Sequence, residues 1–585
     1  MNKEIYKPDL FDWHEGKQTF YITTAIDYPN AKPHIGTAFE KIGADIQARF
    51  WRFLGHEVFF LMGNDENTVK VLKAAQTDGY SSYKEMTIKA YADRMAEEFK
   101  EVWRALDISN DDFIQTSEQR HKIGVQHFIQ TVYDAGFIYK KPYAGWYCEG
   151  CEEFKLEKNL QDVAGHKICP NHPLSLVWRE EENYFFKLSA FKQWILDLYV
   201  PAFDSPYTEV LPAARLNEME NFVKGELDDI SISRKNEGWG IPVPWDESQV
   251  IYVWFDALLN YLTGIGFPDP KFQKWWPARC HVIGKDITRF HCALWPAMIH
   301  AYNQKATVKL CAPEKVFAHG FIYQKKGDEA IKVSKSGTSI NPMDLVEKYG
   351  SDAYRYYFMS KCSFAHDGEY SLQHFNEVYN AELANNLGNL ASRVGNMVLK
   401  NLEGIIPSKE AIEKTGNLTD VGYNFFTIES LNEWVKATEA FDYRRGLGIV
   451  WEILIRANRY FDDRKPWTLA RKKGEPLDQD KVIQLASTLR NTVAMIRCVA
   501  ILLKPYLPRA SEKLYNTYDW PVKWEDLSYN HLLEIVKEND CGSRDEFRLN
   551  PTALVKDENN KTGDIHFLKY PALFPRVELK KDEAV

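Results

Sequence analysis

Long apolar runs are missing from these 585 residues: the stretch around Val499–Leu503 falls far short of the roughly 20 residues a membrane span needs. The first 18 residues, MNKEIYKPDLFDWHEGKQ, have no apolar core of the kind a signal peptide carries. Nine cysteines, an odd number, make no disulfide framework, and a reducing compartment is expected. Neither GxxxxGKS/T nor GxGxxG occurs, which argues against a P-loop ATPase and an ordinary dinucleotide dehydrogenase. No low-complexity tract and no repeat of solenoid period appears. Basic residues are the minority, 73 Lys+Arg against 82 Asp+Glu, so there is no global attraction to nucleic acid. Any such contact needs a local basic face. The expectation is a cytoplasmic protein with no membrane partner.

What is present is globular. Hydrophobic residues make up 45% and charged residues 26%, a balance that excludes a disordered chain. The length predicts about three to four domains. Aromatics reach 14%, which suits ligand pockets and stacking surfaces but equally aromatic-rich cores. Residues 19–26, TFYITTAI, read as a buried strand, and the two prolines of DYPNAKP then forbid a helix. A helical pattern runs from about Ile35 to Phe53. The strand EVFFLMG (57–63), the polar stretch Asn64–Thr68 and another helix follow. This alternation implies a parallel sheet with crossover helices. The rhythm breaks over about 116–230 and resumes at VIYVWFDALLNYL (250–262) and CHVIGKDITRFHCALWPAMI (280–299). From about Asp352 to Leu507 apolar residues recur at three and four, the pattern of a helical bundle.

Three groups of residues carry chemistry. Pro33-His34-Ile35-Gly36-Thr37 opens a helix beyond the first strand, at the edge where open α/β sheets bind ligands. Unpaired N–H groups there suit phosphate, His34 can donate to it, and Gly36 admits a nucleotide close to the backbone. Lys332-Val333-Ser334-Lys335-Ser336 sets two lysines three apart, paired point charges for a polyphosphate. Taken singly, these are also a structural histidine and a solvated basic loop. Cys148-x2-Cys151-x17-Cys169-x2-His172 has the ligand count and paired spacing of a closed tetrahedral zinc site. Four protein ligands leave no open position, so that metal is structural.

In this order, some 300 residues apart, HIGT and KVSKS resemble the ATP-binding HIGH and KMSKS motifs of class I aminoacyl-tRNA synthetases. TTAIDYPNAKPHIGT, FLMGNDEN, ISRKNEGWGIPVP, VIYVWFDALLNYL, HVIGKDITRFHCALWPAM and FAHG are similar to the methionyl-tRNA synthetase family in particular, over about residues 19–540. The resemblance implies an α/β fold: a Rossmann-like parallel-sheet catalytic domain in two halves (1–115 and 231–330) around a connective insertion with a single zinc knuckle (116–230). A KVSKS loop and stem-contact region (331–375), an all-α anticodon-binding bundle (376–540) and a tail (541–585) complete it. It implies activation of L-methionine by ATP, with Mg²⁺, to methionyl-adenylate and pyrophosphate, then transfer to the terminal adenosine of tRNA(Met), initiator included.

The resemblance also assigns residues. ATP falls to His34, Gly36, Thr37, Glu40, Gly284, Asp286, Lys332, Ser334, Lys335 and Ser336. The methionine pocket falls to aromatic walls at Tyr28, Trp254, Tyr261, Phe290, His291 and Trp295, suited to a thioether. Ile26, Ala257 and Ile287 are smaller walls, and Asp65 would hold the ammonium. Core packing is the alternative for each aromatic. Arg234 would grip the reacting carboxylate or phosphate, joining His34, Thr37, Lys332 and Lys335 in catalysis. Asn389, Arg393, Asn458 and Trp467 match anticodon positions, Trp467 as a stacking platform or else a core residue behind Pro466. Residues 444–473 hold nine Lys/Arg against three Asp/Glu, a local basic patch. Three departures stand out: Thr37 for the second His of HIGH, Asn67 for another usual histidine, and Val333 for the Met of KMSKS. A synthetase for another apolar amino acid and a non-catalytic tRNA-binding paralogue are the rival functions. No dimerising β-barrel module follows the bundle, so a monomer is expected.

Overall fold

The computed structural model describes residues 18–577 except 79, 81–84, 149–152, 156, 158–159, 164, 171–175, 201–206, 226, 327–328, 334–339, 415–425, 471–477, 538–545 and 557–567. Six strands form the central sheet: β1 (Thr19–Thr24), β2 (Glu57–Asn64), β3 (Asp112–Gln115), β4 (Glu209–Leu211), β5 (Cys280–Gly284) and β6 (Lys315–His319), in the order β3-β2-β1-β5-β6-β4. All pairings are parallel. Phe20, Tyr21 and Ile22 are buried without alternation, as a strand covered on both faces requires. Helix α1 (Ile35–Phe53) crosses from β1 to β2. The order reverses between β1 and β5, and that is where such sheets leave a crevice.

The insertion is a long antiparallel hairpin, Ile138–Cys148 against Leu176–Phe186, paired over its full length. The stretch 116–230 is not wholly separate, however. Its strand β4 pairs with β6 at the sheet edge. Three residues, Glu-Val-Leu, are too short to show a period, so the sequence gives no warning of it.

Beyond the sheet lies a helical bundle. It includes α2 (Ser351–Lys361), α3 (Asn389–Leu402), α4 (Tyr443–Arg464) and α5 (Gln479–Leu503). Helix α5 is long and apolar enough to cross a membrane, which corrects the reading of the run around Val499–Leu503 as far too short; it is nonetheless the bundle's core, buried from Leu485 to Leu503 except at Asn491. The bundle is bolted to the catalytic half through α1. The Tyr443 hydroxyl donates to the Gly43 carbonyl, and the Gln47 amide donates to Thr438 O. Arg355 of α2, fully buried, pairs with Asp45 of α1 at 2.7 Å and donates to the carbonyls of Leu106, Pro505 and Tyr506. The tail returns along α3 and the helical segment before it. The Tyr570 N–H donates to Asn396 Oδ1 at 3.2 Å, and the Tyr379 hydroxyl to Pro575 O at 2.8 Å. Gly395 makes room for it: a Cβ there would sit 2.0 Å from the Tyr570 ring.

His121, on the helix Gln119–Asp134, is buried against Thr263 Oγ1 at 2.8 Å. Burial, aided by Arg120, lowers its pKa to about 3. The unfolded imidazole titrates near 6.5. Between those values the unfolded chain binds the extra proton, so the native state loses stability as pH falls from about 6.5. Against His121→Gln, the wild type should lose about 1.4 kcal/mol per pH unit below 6.5. Urea midpoints of both proteins at pH 7 and pH 5 test this; parallel pH curves refute it.

Candidate active site

The carboxyl ends of β1, β5 and β6 face a cleft of about 310 Å³. His34 is the N-cap of α1, with φ −123° and ψ 172°. Its Nδ1 accepts from the N–H groups of Gly36 (3.1 Å) and Thr37 (3.3 Å). A ring nitrogen that accepts carries no proton, so the ring proton is on Nε2, and His34 lines the cleft. A Cβ on Gly36 would come to 3.0 Å from His34 Cε1 and disturb this cap. Thr37, Glu40, Gly284, Asp286 and Lys332 line the same cleft, so most of the expected nucleotide residues converge.

Beneath them is a charged cluster that the sequence reading recognised only through Glu40. Lys41, fully buried, reaches Asp27 Oδ2 (3.0 Å), Glu40 Oε1 (2.6 Å) and the Ala25 carbonyl (2.7 Å). The other Glu40 oxygen lies 2.9 Å from His319 Nε2. Burial pushes the Glu40 carboxyl up, but Lys41 and the His319 hydrogen bond outweigh it and hold it below the ordinary range. Burial likewise works against the Lys41 ammonium, and Asp27 and Glu40 overcome it. Glu40 is thus a fixed anion in the cleft wall. His319 belongs to the FAHG block, so the block was recognised without its role. Lys41 carries no motif at all.

The apolar end is closed by Tyr261 and His291. His291 Nδ1 sits 3.1 Å from the Ile287 carbonyl and must donate, so Nε2 accepts from the Tyr261 hydroxyl at 2.8 Å. Burial pulls the His291 pKa to about 4 against the opposing pull of that carbonyl and Glu40, and the ring is neutral. Burial and Glu40 raise the Tyr261 phenol, which stays protonated. The floor is therefore uncharged, fit for a thioether. Ile26, Tyr28, Asp65, Trp254, Ala257 and Ile287 complete the lining. Asp65 is buried, its N–H bonded to Asp27 O at 2.9 Å.

Three expected residues fall elsewhere. Phe290 stands behind Trp254, stacked on it at 3.8 Å and 2°. Trp295 is a core residue, fully buried, with Nε1 donating to His281 Nε2 at 3.3 Å; core packing, the open alternative, holds for it. Arg234 points away from the cleft. It donates to Ser231 Oγ and the Ser233 carbonyl and lies 4.4 Å over the Tyr252 ring. The strand Ser233–Lys235 pairs with Asp246–Ile251 and touches the insertion hairpin, where the Tyr184 N–H donates to Ser233 Oγ at 2.8 Å, which a motif read in isolation does not reveal. Ser334, Lys335 and Ser336 lie outside the described residues. Lys332 rests 3.4 Å over the ring of Phe321, another lining residue without a motif. Asn67, one of the departures, has structural work: its amide donates to Thr116 O and Asp256 Oδ2, each at 3.1 Å.

Of the zinc quartet, Cys148 closes the hairpin strand Ile138–Cys148 and Cys169 follows His166–Ile168, both fully buried. Cys151 and His172 lie outside the described residues. Among the described residues no group of three or more potential ligands gathers.

On the bundle, the Arg393 guanidinium lies beside two adjacent rings, 4.9 Å from Phe461 and 5.4 Å from Trp467, whose centroids are 6.3 Å apart, and pairs with Asp462 at 2.8 Å. Trp467 is 47% exposed, which rules out the core alternative. Asn389 is exposed at the start of α3, and the Asn458 amide donates to Asn386 Oδ1 at 2.6 Å. Asn386, one turn before Asn389, was missed because only the Asn389–Arg393 spacing carried a pattern.

Comparison with known proteins agrees with this geometry. Residues 20–395 match the family model of tRNA synthetases class I (M), and residues 425–542 that of the anticodon binding domain of methionyl tRNA ligase. A methionine--tRNA ligase of Brucella suis is 41% identical over 505 residues, 86% of this chain and 92% of that one. One from Caldanaerobacter subterraneus is 38% identical across 97% of this chain and 80% of its own. The structure of Mycobacterium tuberculosis methionyl-tRNA synthetase bound by methionyl-adenylate superposes with TM-score 0.77 at 34% identity, over 88% of this chain and 96% of that one.

Proposed function

This chain belongs to the methionyl-tRNA synthetases of class I, and from that premise we propose how its own residues divide the work. The enzyme activates L-methionine with ATP to methionyl-adenylate and pyrophosphate, then charges tRNA(Met). The observation that carries the division is the fixed tautomer of His34: a helix cap whose remaining N–H serves the cleft. The methionine carboxylate attacks the α-phosphate in line, and pyrophosphate leaves. His34 Nε2–H, Thr37 and the lysines Lys332 and Lys335 take up charge on the phosphates, which is positioning plus electrostatic stabilisation. Ser334 and Ser336 add hydroxyl donors, and Mg²⁺ accompanies ATP. Gly36 and Gly284 let the nucleotide approach, and Asp286 takes the ribose. Glu40, as a fixed anion, faces the nucleotide, and Asp65 holds the substrate ammonium. The neutral Tyr261–His291 pair and Trp254 wall the thioether, with Phe290 and Trp295 supporting from behind. Arg234 has no part in this cleft.

Asn389, Arg393, Asn458 and Trp467 receive the anticodon of tRNA(Met), initiator included. The enzyme acts as a cytoplasmic monomer. Methionine-dependent ATP–pyrophosphate exchange on purified protein tests the activity; exchange driven by another apolar amino acid, or none, refutes it.

One structural zinc binds to Cys148, Cys151, Cys169 and His172. Two buried thiols, each at the end of a strand of the insertion, fit such a site, and three thiolates with one imidazole suit zinc. Cys151→Ser should shed the metal and loosen the insertion. Metal analysis of the undenatured wild type should give one zinc per chain, and a value near zero defeats the assignment.

A further inference from the structure

Behind the Tyr261–His291 floor stands a histidine that no step above uses. His281, on β5, is fully buried and does not line the cleft. Its ring lies against the Tyr261 ring, with centroids 4.2 Å apart and planes 30° apart. Both edges of the imidazole are tied. The Trp295 indole N–H can only donate, so His281 Nε2, 3.3 Å away, accepts. Burial, aided by His291, holds the His281 pKa well below its ordinary value, so the ring is neutral and its one proton is on Nδ1. That proton goes to Thr23 Oγ1 at 2.7 Å, on the neighbouring strand β1. An acceptor on one edge and a donor on the other fix the ring plane.

The plane matters because of what leans on it. The Tyr21 hydroxyl holds the Tyr261 carbonyl at 2.7 Å, and the Tyr261 phenol donates to His291. A phenol has one proton. While it goes to His291, Tyr261 offers none to a side chain in the pocket. A tyrosine able to tilt could turn that proton to the substrate instead. Phenylalanine in place of His281 would fill the space but leave the Trp295 N–H and the Thr23 hydroxyl without their partner. Resting on the function proposed above, we infer that His281 is a positioning residue for amino-acid choice: its tethered ring holds the Tyr261 plane, keeps the phenol aimed at His291 and so denies a hydrogen bond to an amino acid with a polar atom where methionine has sulfur.

Norleucine and O-methylhomoserine probe this, because they put a methylene and an ether oxygen in the place of sulfur. Only the ether can use a donor. His281→Phe keeps a ring but cuts both tethers. In amino-acid-dependent pyrophosphate exchange it should raise kcat/KM for O-methylhomoserine, relative to methionine, roughly fivefold, the worth of one hydrogen bond. The norleucine ratio should not change. Thr23→Val cuts one tether and should move the ether ratio the same way. The double variant should add nothing to His281→Phe, because Thr23 acts through His281. Thermal melting checks the fold, and if His281→Phe does not fold, the ether ratio of Thr23→Val decides. An unchanged ether ratio in the folded variants, ether and norleucine ratios that move together, or additive effects of the two changes would make His281 a core residue and overturn the inference. Absence of methionine-dependent exchange in the wild type would instead strike the function itself.

Discussion

Replacing His34 by alanine should slow methionyl-adenylate formation about 10²–10³-fold, the usual cost of one donor to developing charge. The same change removes the cap from α1. Cap loss costs about 1 kcal/mol of stability, so alanine alone confounds two effects. His34→Asn separates them. An asparagine oxygen can accept from the N–H groups of Gly36 and Thr37 as Nδ1 does. It cannot reach the cleft with a second donor. His34→Asn should therefore melt like wild type and still form adenylate as slowly as His34→Ala. Methionine affinity should stay within a few-fold in both, because the amino acid lies at the Tyr261–His291 end. Single-turnover adenylate formation beside thermal melting reads this. An asparagine variant that keeps the wild-type rate would mean His34 is only a cap.

Trp467→Ala should lose about 1–3 kcal/mol of tRNA affinity, the range for one base–aromatic stack. That is roughly ten- to a hundred-fold in aminoacylation efficiency. Pyrophosphate exchange should not change, since Trp467 follows the far end of α4, whose 22 residues span about 33 Å from Tyr443 at the catalytic seam. The melting temperature should barely move, because the indole is about half exposed and its removal leaves little cavity. Arg393, in contact with both the Phe461 and Trp467 rings, would hold the proposed platform in place. Unaltered charging of tRNA by Trp467→Ala, or a matched loss of exchange and melting temperature, would refute the platform.

What could be read in the sequence was what local pattern or contiguous motif encodes. Helix α1 begins at Ile35 and ends at Phe53, as its period requires, and β1 and β2 fall within a residue or two of the apolar runs. His34, Gly36 and Asp65 reach the cleft because strand ends and helix starts place them there. What escaped depends on partners far along the chain. His319 matters through Glu40, 279 residues away, and Lys41 through Asp27 and the Ala25 carbonyl across the loop after β1 as well as through Glu40. Trp295 and Trp254 look alike as aromatics, and only the packing of Phe290 and His281 sorts wall from core. Arg234 reads as catalytic until its strand is seen to lie against the insertion hairpin, through Tyr184 and Ser233. The tail shows no period, and its described part packs on partners far back in the chain, at Asn396 and Tyr379.

The buried guanidinium of Arg355 also constrains how chains of this kind can recombine. It draws its acceptors from α1, from the carbonyl of Leu106 and from the backbone at 505–506. A crossover between two parental genes near residue 375 would keep Asp45, Leu106 and Arg355 from one parent and take the carbonyls at 505–506 from the other. A misfit there leaves the buried guanidinium short of acceptors, at about 1–3 kcal/mol for each unmet group. Exchange at this seam should therefore cost stability, and exchange on the exposed surface around Trp467 should not.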